Sequence, residues 1–311
     1  MKYGDEHMNY SDYIKMTQCG VYSITFPSQN IVETLENAVL AERNREKFEI
    51  VKNLITGKKV ITFDDGGLFF SIRAEFKHLT KEQIAFKAFE FKNVTSEKDA
   101  VHLAKVELFK VLPPSSEIYN VFYNPNTQIL VINSNSKRSK IALMQLVEVF
   151  GLVGVKSIIV SEEKLGINTK FSRLLNDNEP LFNSIGFDYE ATLRRETEDD
   201  KTHRTCRHLD TEEGKHNALD ALYNGFIVQS LAMRYEDENG FIVRFKLDEY
   251  LRIRAMKFRD FAETSRMLRS DSPAKYGILT EYLNCQYHVL NRIIKNTLLE
   301  FTKDTKLEQF A

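Results

Sequence analysis

Phe241-Ile242-Val243-Arg244-Phe245-Lys246-Leu247-Asp248-Glu249-Tyr250-Leu251-Arg252-Ile253-Arg254-Ala255-Met256-Lys257-Phe258 is the stretch on which the fold turns. Phe241, Val243, Phe245 and Leu247 alternate with Ile242, Arg244 and Lys246. Beyond Asp248-Glu249-Tyr250, Leu251, Ile253 and Ala255 alternate with Arg252 and Arg254. A period of two is the pleat of a half-buried strand, so these residues predict an antiparallel ribbon. A three-residue loop keeps both apolar rows on one face, with Leu247 opposite Leu251 and Phe245 opposite Ile253. The other face then pairs Lys246 with Arg252 and Arg244 with Arg254. Like charges directly opposite one another destabilise a sheet, and a slip of one residue would set Leu247 against Arg252. Four cations on one face therefore imply either an anion that the sequence does not contain or a solvated face that keeps an edge ribbon soluble.

Upstream, Asp210 followed by Glu213 marks a helix start, because carboxylates there can accept from first-turn N–H groups. Leu219, Leu222, Tyr223, Phe226 and Leu231 recur at helical spacing, up to the break at Glu236-Asp237-Glu238-Asn239-Gly240. Near the N-terminus, Val21 to Phe26 alternate as a strand, and Ile31, Leu35, Ala38 and Val39 begin a helix that becomes highly charged past Glu42. Val60 to Phe63 and Leu68 to Lys77 flank Asp64-Asp65-Gly66-Gly67, the composition of a tight hairpin turn. Thr80 with Gln83 is a capping box for a helix through Phe89, and a second helix from Glu97 to Leu112 stops at Pro113-Pro114. Ile118 to Tyr123 and Gln128 to Asn133 form a second hairpin, followed by a helix over Lys137 to Phe150 and a strand at Lys156 to Val160. Short helices are expected at Phe171 to Leu175, Pro180 to Ser184 and Tyr189 to Arg195; Arg259 to Ser272 reads as irregular or partly helical. The last helix, Ile278 to Phe301, carries Leu279, Leu283, Tyr287, Leu290, Ile294 and Leu298 on one stripe, suited to core or dimer packing. The expected class is α+β, antiparallel sheets or hairpins with flanking helices. Its expected parts are an N-terminal one over 1–112, a central hairpin-helix-strand one over 113–200 and a C-terminal one over 201–311.

Composition narrows the function classes. With 311 residues the chain can bury a sizeable core. A formal net charge of −1 supplies no global attraction for nucleic acid, so a polyanion site must be a local concentration of cations. Glu162-Glu163, Glu196 to Asp200 and Glu236 to Glu238 are the acidic counterweights. Cys19, Cys206 and Cys285 are far apart and form no metal-ligand spacing, and no apolar run reaches the length of a membrane span. A reduced, cytoplasmic setting is the expectation.

Three blocks resemble the RdgC recombination-associated proteins of bacteria. One joins Leu112-Pro113, the hairpin ending Gln128-Ile129-Leu130-Val131-Ile132-Asn133, the helix from Lys137 and the Ile158-Ile159-Val160 strand. Another is Arg204 to Phe258, and a third, weaker one is Gly67 to Ile84. The resemblance implies a horseshoe-shaped protomer and a homodimeric ring that encircles double-stranded DNA without sequence preference. It also implies a nucleoid-associated non-enzyme that modulates homologous recombination by obstructing the strand-exchange recombinase through shared DNA. By the same resemblance Arg204 and Arg207 sit at lining positions, and Arg73 and Lys77 fall on basic positions. Where the family places an Arg- and Phe-rich dimer contact, this chain has Pro114 to Tyr119, so Tyr119 would supply the aromatic.

Phosphate contact needs converging cations, and arginine forks suit it best. Arg244, Lys246, Arg252 and Arg254 lead on the strength of their register; for Arg204 and Arg207 a solvated loop is the competing account. Arg73 and Lys77 share a strand face with Glu75, which fits an internal salt-bridge ladder as well. Lys137, Arg138 and Lys140 open a helix, the end where cations oppose the macrodipole, so they suggest an anion site or a solvated helix start. A magnesium-dependent nuclease would want clustered carboxylates, but Asp64-Asp65 and Asp199-Asp200 are explained by turn chemistry and solvation. His203, His208 and His216 near Cys206 match no zinc spacing, and no phosphate-binding or nucleophile motif occurs, so no cofactor, metal or catalytic residue is expected. Without tryptophan or aromatics interleaved with the basic rows, duplex contact fits better than a single-strand stacking platform. A protein–protein adaptor that meets an acidic partner is the remaining class.

Overall fold

The computed structural model describes residues 9–27, 30–43, 45–92, 95–152, 155–158, 166–197, 200–270 and 272–302. A first sheet takes β1 (Gly20–Ser23), β2 (Lys47–Val51), β3 (Val60–Thr62), β4 (Leu68–Phe76), β5 (Ser115–Asn124), β6 (Ile129–Ile132) and β7 (Lys156–Ser157). Their order is β2-β4-β5-β6-β1-β7, with β3 also on β4, and every pairing is antiparallel. A second antiparallel sheet takes β8 (Ile185–Glu196), β9 (Lys201–Cys206), β10 (Ile227–Glu236), β11 (Ile242–Asp248) and β12 (Ile253–Phe258), in the order β12-β11-β10-β8-β9. The helices are α1 (Ile31–Asn37), α2 (Lys81–Phe89), α3 (Glu97–Val111), α4 (Lys137–Val149), α5 (Ile167–Asp177), α6 (Glu212–Tyr223), α7 (Phe261–Arg269) and α8 (Lys275–Thr302). The chain is α+β, with antiparallel sheets flanked by helices. Expectations on Ile159, Val160, Glu162, Glu163 and Asp199, and on the side chain of Leu298, lie outside the described residues.

Alternation along β4 explains why the first sheet is buried on both faces. Leu68, Phe70, Ile72 and Ala74 join Tyr119, Val121, Tyr123, Leu130 and Ile132 in a core closed by Leu35 of α1 and Leu143, Leu146 and Val147 of α4. Phe69 points the other way and joins Phe63, Phe122 and Val131 in a second, larger core. That core also takes Leu231, Met233, Val243, Phe245 and Leu247 from the second sheet and Leu279, Leu283, Tyr287, Leu290 and Ile294 from α8. The apolar stripe of the last helix is thus spent inside the protomer, with each of those five residues at most 1% exposed. It is not a dimer face. The hairpin at 118–133 likewise forms the centre of the first sheet.

The 1–112 and 113–200 parts do not form separate sheets: β4 and β5 pair across that boundary from Leu68↔Tyr123 to Phe76↔Ser115. Two helix expectations are corrected. The helix expected to become highly charged past Glu42 ends at Asn37, with β2 starting at Lys47, and Tyr189 to Arg195 lies inside β8. No helix forms over Pro180 to Ser184. The helix expected to reach Leu231 ends at Tyr223, because Gly225 adopts a left-handed φ of 81°. Gly225 N–H then donates to Leu222 O and Phe226 N–H to Ala221 O, a glycine C-cap. Its N-cap is Thr211, whose hydroxyl accepts from Gly214 N–H, rather than Asp210. The β-branched Ile227-Val228 pair then starts β10.

Candidate nucleic-acid interface

β11 and β12 form the expected ribbon in a register moved by two residues. Leu247 faces Ile253 and Lys246 faces Arg254, so the loop runs from Asp248 to Arg252 rather than over three residues. Asp248 decides this. Its Oδ1 accepts from the N–H groups of Tyr250 and Arg252, its N–H donates to Arg252 O, and Leu251 takes a φ of 55°. An even shift preserves the faces, so Arg244, Lys246 and Arg254 still look away from the core. A bulge at Ala255 (φ 50°) then brings Lys257 opposite Arg244.

On the other side of β11, Arg234 of β10 is the register partner of Arg244. One row across three strands is therefore Arg234, Arg244, Lys257, and the next is Ala232, Lys246, Arg254. Arg234 and Lys257 are additions to the residues that the alternation of the ribbon points to. Signals for both exist, in the alternation Leu231, Met233, Tyr235 around Arg234 and in the Lys257-Phe258 parity, but they show only once β10 and the bulge are recognised.

The anion that four facing cations demand is in part supplied by the chain itself. Arg244 Nε lies 3.3 Å from Asp188 Oδ2, and Lys246 Nζ 2.6 Å from Glu190 Oε1. Asp248 Oδ2 is 2.7 Å from Arg252 Nε and 3.5 Å from Arg254 Nε; Arg234 pairs with Glu236 at 2.6 Å. Lys246, and to a lesser degree Arg207 at 3.2 Å, hold the Glu190 carboxyl below the usual carboxylate range against the opposing effect of burial. The paired cation side chains are 39–59% exposed on Lys246, Arg252, Arg254 and Arg244. Ion pairs that open to water are worth roughly 0–1 kcal/mol, too little to withhold these cations from a phosphate. Among the described residues Lys257 makes no ion pair.

The remaining candidates disperse. Arg207 joins the ribbon face through Glu190, but Arg204 is the register partner of buried Leu193 and stands on the helix-covered side, beside Cys206. Arg73 forms the internal ladder, 2.9 Å from Glu49 and 3.4 Å from Glu75, and Lys77 donates to the Phe109 carbonyl. Arg138 lies between Glu46 (3.0 Å) and Glu117 (3.1 Å) over the Phe76 ring, while Lys137 and Lys140 are exposed on the first turn of α4. These residues sit on the first sheet and its helix, apart from the ribbon rows. Tyr119, expected at a dimer contact, is 3% exposed in the protomer's own core and its hydroxyl donates to Glu117. It has almost no surface left to offer a second chain. Among the described residues no three His, Cys, Asp or Glu side chains gather as a metal site, and no helix is long and apolar enough to cross a membrane. Neither a scan of protein-family models nor a search of curated proteins returned a match to this chain.

Proposed function

We propose that the protein binds double-stranded DNA through the outer face of its second sheet, without sequence preference and without catalysis. The carrying observation is the pair of cation rows, Arg234-Arg244-Lys257 and Lys246-Arg254, set directly opposite one another on neighbouring strands. Directly opposed like charges weaken a sheet, and a ladder of backbone phosphates would turn that repulsion into attraction. Two residues of extended chain separate the rows, a rise of roughly 6.6 Å, so each row can meet its own phosphate. Side chains on a sheet face that point at phosphates read charge rather than base edges. The resemblance to the RdgC proteins extends the proposal to a homodimeric ring that obstructs a strand-exchange recombinase by occupying its DNA.

Lys257→Ala, alone and with Arg244→Ala, tests the face. Duplexes of unrelated sequence should all bind more weakly, and the slope of log affinity against log salt should shrink by roughly 0.9 for each phosphate that the variant no longer neutralises. The free Lys257→Ala protein should be no less stable, since the substitution removes a charge opposed to Arg244. Unchanged affinity and salt slope would overturn the assignment. An acidic polypeptide that displaces the duplex at equal charge would instead favour an adaptor. DNA should stay intact with Mg²⁺, and sedimentation should give about twice the 36.1 kDa chain mass. A strict monomer would remove the ring and leave the binding face.

A further inference from the structure

The acids on the ribbon face arrive by an unusual route. In the β8–β10 pairing Leu231 faces Ala191 and Met233 faces Phe187, so Asp188, Tyr189 and Glu190 together oppose Ala232. Tyr189 takes a φ of 55°, the left-handed conformation that bulky side chains seldom adopt. Bulges re-aim side chains, and this one sends Asp188 to Arg244 and Glu190 to both Lys246 and Arg207. Asp248 differs, because it also closes the β11–β12 loop through backbone N–H groups. Among the described residues, the carboxylates of Asp188 and Glu190 meet these cations and no backbone group.

We propose that Asp188 and Glu190 act as built-in competitors of phosphate, so that polyanions bind this face by exchange of ion pairs and affinity is held down by the β8 bulge. This rests on the proposed polyanion face and adds its regulation. When Lys246 moves from Glu190 to a phosphate, the abandoned carboxylate collects a cation from solution. That uptake offsets part of the counterion release that drives binding. The carboxylates also repel the arriving phosphates across less than a Debye length.

The test measures binding of a short fluorescent duplex over a salt series, for the wild type, Glu190→Gln, Asp188→Asn and Arg244→Ala/Lys246→Ala. The amide variants should bind up to about fivefold tighter at low salt, with a salt slope steeper by up to roughly 0.9 per exchanged pair. The advantage should fade as salt rises. Circular dichroism checks folding, and Asp188→Asn, which removes a single ion pair, decides the matter if Glu190→Gln is unfolded. If the cation variant weakens binding while the amide variants equal the wild type, the exchange proposal fails and the binding face stands. If all four proteins bind alike, or the wild type does not bind duplex, both fail.

Discussion

At the scale of single residues, one tight constraint in the fold is the close approach of Gly67 to Tyr287. A Cβ at Gly67 would overlap the Tyr287 ring, which also stacks on Phe63 with centroids 4.7 Å apart. The Tyr287 hydroxyl donates to Asp65 Oδ2 at 3.0 Å, while Asp65 Oδ1 accepts from Gly67 N–H at 2.8 Å. Burial first, then the Asp65 carboxylate, pushes that phenol well above its ordinary value, so it remains a donor at any physiological pH. Gly67→Ala should cost about 1–3 kcal/mol by overpacking, whereas Tyr287→Phe removes one hydrogen bond to a carboxylate, about 1.5–3 kcal/mol at most. Because removing the hydroxyl deletes one of the three atoms that the added Cβ would meet and frees the ring from Asp65, the double variant should lose less than the sum of the two. Urea unfolding measures all three, and strict additivity would sink this account of the close approach.

Among the elements, the α2–α3 hairpin is the most separable. It has its own small core of Ala88, Ala100 and Ala104 with Phe91 and Val101, and leaves Phe86 and Phe89 more than 70% exposed. Phe76 and Ser115, which flank it, are already register partners. Replacing residues 77–114 by Asn-Gly, a turn that matches strand twist, should leave both sheets folded and the melting temperature within roughly 5 °C. Loss of cooperative unfolding would mean that the arm supports the sheet. The same scale explains what the sequence could tell. Period-two alternation determined the faces of β11 and of β12 as far as Arg254, because parity survives any even shift; the bulge at Ala255 then reverses it, turning Ala255, expected on the apolar row, outward and burying Met256. The register depended on the side chain of Asp248, which alternation does not report. A capping box placed the start of α2 and a proline stop the end of α3, since those signals act within one turn. β10 was hidden because Leu222 and Leu231 fit a helical stripe, although Asn224-Gly225 carried the stop. Asp188 and Glu190 were illegible as partners of the ribbon: a strand taken for a helix cannot present its acids to a neighbouring strand.

For the whole molecule, α8 is the element through which the sheets share one interior. Leu283, fully buried there, should cost about 2–5 kcal/mol when replaced by alanine. Far-ultraviolet circular dichroism, reporting strands, and near-ultraviolet signals of the tyrosines should move together in that variant, as one transition. Two separated transitions would show that the sheets melt independently. Other ties span the chain in the same way: Cys19 N–H donates to Ile253 O, Met256 N–H to Thr17 O, and Gln286 Nε2 to Ile14 O across 272 residues. This arrangement sets an order on biosynthesis. A ribosome delivers β1 to β7 long before α8, so Phe63, Phe69, Phe122 and Val131 wait as an uncovered greasy surface while the remaining chain is translated. The nascent protein is then a natural client for chaperones that shield such surfaces, and slow translation between β7 and α8 would lengthen the time it needs them.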